Sequence, residues 1–147
     1  MPPSRPVLDA IGNTPIAQLQ KIVPKGSARI LAKLEWANPT GSMKDRMARA
    51  VIDAAAKDGR LVKGGTVVEY TAGTTGVSLA FVCAALGYKL HVVFSDAFAD
   101  EKRFTMQAFG AEITDVKSDR KRINEALIKE MIATSKRIAE RPGHWWS

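Results

Sequence analysis

The element order predicts an α/β protein, a three-layer α/β/α arrangement around a parallel sheet of about four strands. Two observations carry this. Short β-branched runs alternate with helix-length segments along the 147 residues, and the strand-to-helix junctions hold the glycines and hydroxyl residues of tight turns. Pro2, Pro3 and Pro6 mark an irregular arm, and Gly12-Asn13-Thr14-Pro15 reads as a turn. Ile16 to Ile22 alternates as a short strand, and Arg29 to Trp36 reads as a second. A helix rich in alanine is expected over Asp45 to Asp58, stopped by Gly59. Thr66 to Tyr70 forms a strand, and the loop Thr71-Ala72-Gly73-Thr74-Thr75-Gly76 leads into a helix ending at Leu86-Gly87. Tyr88 to Phe94 is a buried strand, Asp100 to Phe109 a helix and Glu112 to Val116 a strand. A long helix from Asp119 to Glu140 follows, stopped by Pro142-Gly143. Strands alternating with helices of this length imply right-handed crossovers, so the strands near Ile30, Val67, Val92 and Ile113 are expected to form the parallel sheet.

Composition narrows the class. Hydrophobic residues make up 46% and charged residues 25%, which excludes a disordered chain. The net charge of +7 is compatible with anionic partners. From Lys117 to Arg141 eight Lys or Arg stand against four Asp or Glu, on a segment where Ile123, Leu127 and Met131 recur every four residues. Those basic side chains are expected to coat the wet face of an amphipathic helix, and no nucleic-acid motif accompanies them. The single cysteine, Cys83, lies in an apolar run and reads as a core thiol of a cytoplasmic protein. No apolar stretch is long enough to span a bilayer. His91 and His144 are too far apart in sequence to suggest a metal site, so none is expected.

Lys44 carries the chemistry. It follows the turn Asn38-Pro39-Thr40-Gly41 and stands on the first turn of a helix, where Ser42 and Asp45 match the Ser-x-x-Asp pattern of a capping box. The partial positive charge of a helix N-terminus disfavours an ammonium and favours the nucleophilic amine by a few tenths to about one kcal/mol. Lysine amines form Schiff bases with aldehydes, which points to a pyridoxal-type cofactor. The loop Thr71 to Gly76 opens a second helix, whose free amides and threonine hydroxyls suit a carboxylate. In a parallel sheet both loops lie at the C-terminal edge and face one crevice.

Four ordered segments make the resemblance specific. Ile11-Gly12-Asn13-Thr14-Pro15, Leu34-Glu35 with Asn38 through Arg46, Thr71 through Gly76, and Glu101-Lys102-Arg103 with Phe109-Gly110-Ala111-Glu112 together resemble the fold-type II pyridoxal-phosphate enzymes of the cysteine synthase and cystathionine β-synthase family. The resemblance implies the N-terminal small domain of a tryptophan synthase β-like fold. It implies that Lys44 holds pyridoxal phosphate and then removes the substrate α-proton. Thr71, Ala72, Gly73 and Thr75 would take the amino acid's carboxylate, and Thr74 would contact the cofactor's ring hydroxyl. The family commonly has asparagine where Thr74 stands and serine where Ala72 stands, departures that bear on substrate choice. The implied reaction is β-replacement on a serine derivative, in the manner of cysteine biosynthesis: loss of the β-substituent and addition of a thiol or sulfide.

Family members are roughly twice this length. The glycine-rich phosphate loop would lie beyond Ser147, since Gly143 is the only glycine after Ser118. The expectation is therefore a truncated chain, inactive alone and weak in cofactor binding. Residues 1–30 would pack on an absent larger domain, residues 31–147 would form the α/β domain, and Trp145 and Trp146 would be exposed. The full-length form would be a homo-oligomer acting on a small amino acid. Two further readings are a non-catalytic product that binds an amino acid or a partner chain, and a basic nucleic-acid-binding protein.

Overall fold

A computed structural model describes residues 6–147. The arm proposed at Pro2 and Pro3 lies outside the described residues. A two-stranded antiparallel ribbon comes first, β1 (Ile16–Leu19) with β2 (Ile30–Lys33). Then follow α1 (Lys44–Lys57), β3 (Thr66–Tyr70), α2 (Thr74–Leu86), β4 (Lys89–Ser95), α3 (Asp100–Ala108), β5 (Glu112–Val116), α4 (Glu125–Ala139) and β6 (His144–Trp146). The four strands β5-β4-β3-β6 form one parallel sheet.

Alternation along the strands sorts the two cores. Val67 of β3 and Leu90, Val92 and Phe94 of β4 face α2, behind which α1 packs with Ala48, Ile52 and Ala55. Val68, Val93 and Val116 face Leu127, Met131 and Ile138 of α4. The central strand β4 is buried on both faces from Leu90 to Ser95, as expected when helices cover a parallel sheet from both sides. Cys83 is buried within the first core, where loss of solvation pushes its thiol up to about 12. His91, also buried, bonds through Nε2 to Thr114 Oγ1 at 2.7 Å, and burial lowers its pKa. It behaves as the core histidine expected of a strand interior.

Three sequence expectations are corrected. The strand near Ile30 does not join the parallel sheet. It pairs antiparallel with β1, register Ile16 with Lys33, and Ile30 and Leu31 remain about half exposed at 48% and 50%. The fourth strand is instead β6, which continues the sheet beside β3 with His144 opposite Thr66 and Trp146 opposite Val68. Trp145 and Trp146 are consequently half-buried rather than loose: Trp145 packs on the α2-side core under the Arg60 guanidinium, and Trp146 lies under the Lys136 ammonium. Finally, the long helix begins at Glu125, not Asp119. Arg120 and Lys121 adopt left-handed φ of 51° and 58°, which interrupts the helix, and Asn124 then caps it by accepting from Leu127 N at 2.8 Å. Ile123, counted from its spacing onto the apolar face, falls in this loop and is 61% exposed.

Because β6 closes one edge of the sheet mainly through its tryptophans, Trp145→Ala is expected to cost about 2 kcal/mol through lost apolar burial and cation–π contact. Thermal melting followed by circular dichroism measures this. An unchanged midpoint would mean that β6 does not dock on β3.

Candidate active site

The N-terminus of α2 follows β3 and so stands at the C-terminal edge of the sheet, and that of α1 is bonded to the second turn of α2. The latter is reached through a turn in which Gly41 N donates to Asn38 O at 2.8 Å, with Pro39 in the second position and Gly41 at φ +74°. Ser42 Oγ accepts from Lys44 N at 3.1 Å, so the serine does cap the new helix. The reciprocal half of the capping box is missing. Asp45 is fully buried and turns inward: Oδ2 accepts from Thr40 N at 2.8 Å, while Oδ1 accepts from Thr40 Oγ1 at 2.5 Å and from Ser78 Oγ at 2.6 Å. Ser78 belongs to the second turn of α2. One carboxylate thus ties the Lys44 turn to the helix that opens at the threonine loop.

Lys44 itself is half-buried on the first turn of α1. Among the described residues no carboxylate pairs with its Nζ. An amine without a salt-bridge partner keeps its lone pair available for an aldehyde once deprotonated.

The threonine loop divides its labour in a way the sequence did not reveal. Thr71 is buried and its Oγ1 accepts from Gly73 N at 3.2 Å and from Gly76 N at 3.3 Å, so this oxygen shapes the loop and only its hydroxyl proton remains to offer a guest. Gly76 serves packing, not ligand approach: a Cβ there would sit 2.4 Å from Met106 Sδ and 2.4 Å from Thr71 Cγ2. Around Gly73, by contrast, a Cβ would meet nothing within 4 Å, and Ala72 and Thr74 are exposed with Gly73 and Thr75 half-buried. The first turn of α2 holds no acidic residue and its N-cap offers no side-chain bond. Apart from the Gly76 N–H, taken by Thr71 Oγ1, its amide donors and dipole present a positive end to the crevice. An open cleft of about 420 Å³ adjoins it, lined by Glu69, Tyr70, Thr71, Ala72, Thr75, Trp146 and Ser147.

A second polar network braces the lysine turn from outside. Glu35 accepts from Thr14 Oγ1 at 2.6 Å, from Asn38 Nδ2 at 2.9 Å and from Arg46 Nε and Nη2 at 2.9 and 3.0 Å. Asn38 Oδ1 in turn accepts from Gly12 N at 2.9 Å. These bonds, foremost that from Arg46 and then that from Thr14, hold the Glu35 carboxyl down to about 2. The segment Gly12 to Thr14 thereby becomes part of the site's wall. Sequence reasoning missed the roles of Asp45, Ser78, Glu35 and Arg46. For Asp45 a signal existed: it shares the buried face of α1 with Ala48, Ile52 and Ala55, and an acidic residue on an apolar face requires partners.

The family profile of the pyridoxal-phosphate dependent enzymes matches residues 7–145. The chain belongs to that family. It is 38% identical over 139 residues to the cysteine synthase of Staphylococcus aureus (strain Mu50 / ATCC 700699), covering 95% of this chain and 43% of the relative. Among solved structures it is similar to O-ureido-L-serine synthase, with 34% identity and a TM-score of 0.88 over 99% of this chain and 44% of that one. It is also similar to the O-acetylserine dependent cystathionine beta-synthase from Helicobacter pylori, with 33% identity and a TM-score of 0.84 over 99% and 47%. The chain spans less than half the length of these relatives.

Pyridoxal phosphate, the family's cofactor, finds part of what it needs here. Lys44, with no carboxylate on its Nζ among the described residues, would suit its aldehyde, and the amides opening α2 would suit a carboxylate. Its phosphate has no glycine nest after Ser118, because Gly143 precedes β6 and so lies at the opposite, N-terminal end of the sheet.

Two outcomes are expected. Gly76→Ala forces Met106 and the Thr71 methyl to move, at a cost of about 1–3 kcal/mol; chemical denaturation reads it, and an unshifted midpoint would show that the contact yields freely. For Glu35, a lowered folded pKa means that its contribution is present above the ordinary value of 4.5 and disappears as the pH falls toward about 2. Glu35→Gln should flatten the acid limb of a melting-temperature profile across that window, and identical acid limbs would remove Glu35 from the brace.

Proposed function

We propose that this chain carries the lysine-bearing half of a pyridoxal-phosphate enzyme that performs β-replacement on a serine derivative, of cysteine synthase or cystathionine β-synthase type. The observation that supports it best is the bonding of the turn that carries Lys44 to the helix opening at the threonine loop, through Asp45 and Ser78. When bound, the cofactor supplies an electron sink for negative charge at the substrate Cα. Lys44 Nζ would hold the cofactor through its aldehyde, and its free amine would take the proton from the substrate Cα. Thr71, Ala72, Gly73 and Thr75 receive the substrate carboxylate through backbone amides and hydroxyl protons, which fixes the orientation of the reacting bonds. Thr74, exposed at the helix opening, would donate to the cofactor's ring hydroxyl.

The remaining parts of the enzyme lie on a second domain. Residues 1–30 are assigned to its contact surface: Ile16 and Ile22 are 60% and 78% exposed on and just after β1, an apolar face that a larger domain would cover. Residues 31–147 form the α/β domain of the site. The longer form is assigned a homo-oligomeric state and a small amino acid as substrate. Among the described residues no helix is long and apolar enough to cross a membrane.

Treatment of the 147-residue chain with pyridoxal 5′-phosphate and borohydride, followed by peptide mass mapping, tests the assignment. Selective labelling of Lys44, abolished in Lys44→Ala, is expected on a background of weak reversible binding. Equal labelling of Lys44 and the exposed lysines Lys57 and Lys129 would reject it.

A further inference from the structure

Asp45 has no need to be acidic for the sake of the helix, since Ser42 already caps α1. Its carboxylate is fully buried, and all three of its bonds converge on two groups: the backbone and hydroxyl of Thr40, in the turn leading to Lys44, and the hydroxyl of Ser78, in α2. Thr40 Oγ1 and Ser78 Oγ lie 3.3 Å apart, so the three side chains form a closed triangle between the two helices. Burying a carboxylate is costly unless its lone pairs are filled, and an apolar residue would pack this position more cheaply.

We propose that Asp45 is a positioning residue that locks the Lys44 turn to the first turns of α2, so that the amine and the carboxylate-binding amides move as one rigid unit. The proposal rests on the assignment of Lys44 as the aldehyde-bearing amine. Asp45 touches neither cofactor nor substrate. Its effect passes through Thr40 on one side and Ser78 on the other. Asn at position 45 can keep the bond from Thr40 N only by presenting its NH2 to the two hydroxyls, which must then accept rather than donate and lose the charge-assisted strength of the native bonds.

The test measures borohydride-trapped labelling by pyridoxal 5′-phosphate at Lys44 relative to Lys57 and Lys129 in the same sample. General loosening of the fold raises labelling at all lysines, whereas lost positioning lowers Lys44 alone. Asp45→Asn and Ser78→Ala are each expected to reduce the Lys44 ratio by about tenfold, less than the roughly hundredfold that a misplacement of about 1 Å can cost. Ser78→Thr, which keeps the hydroxyl, should restore most of it. If Asp45→Asn does not fold, the Ser78 pair decides alone. A Lys44 ratio unchanged in Ser78→Ala, with Lys44 still selectively labelled in the unsubstituted chain, overturns the positioning role. A label that is unselective in the unsubstituted chain overturns the function assigned to Lys44 instead.

Discussion

The arrangement of this domain turns on a single buried carboxylate. Asp45 sits at the bottom of the wedge between α1 and α2 and accepts from Thr40 twice and from Ser78 once. Through these bonds the turn carrying Lys44 becomes an extension of α2, the most deeply buried helix of the fold. The packing of α1 on α2 through Ala48, Ile52 and Ala55 carries this rigidity down the length of both helices.

The Glu35 network complements the clamp from the solvent side. It involves partly exposed groups, with the Arg46 and Glu35 side chains 40% and 24% exposed, so its ion pair is screened and is worth less than a buried one. Its contribution is connective. Thr14, Asn38 and Arg46 come from separate stretches of chain and meet at one carboxylate, and Gly12 joins them through Asn38 Oδ1. Inner and outer braces together leave the space around Gly73 open while the backbone on either side is held.

Most of the framework was legible from local pattern. The alternation of β-branched runs with helical segments located β3, β4, β5 and the helices α1 to α3 to within a few residues, because burial on both faces of a parallel sheet leaves an apolar run that solvent-facing segments do not mimic. The Lys44 turn and the threonine loop were legible for the same reason: turn formers before a helix have few other conformations. Asp45 was misread because Ser-x-x-Asp spacing describes a local cap, and the same spacing also delivers an acid to the buried face of the helix. Local rules cannot choose between these without knowing that Ser78 waits across the interface.

The sequence by itself determined the element order, the placement of a lysine and a threonine loop on two helix N-termini, and the family to which they belong. Those features depend on interactions between residues a few positions apart, or on motifs whose order survives as a string. Only the tertiary structure decided that β6 replaces β2 in the sheet, that Gly76 answers to Met106, and that Asp45 binds Ser78. Each of these joins residues far apart in the chain, where the partner is selected by three-dimensional packing and by the requirement that every buried polar group find a hydrogen bond.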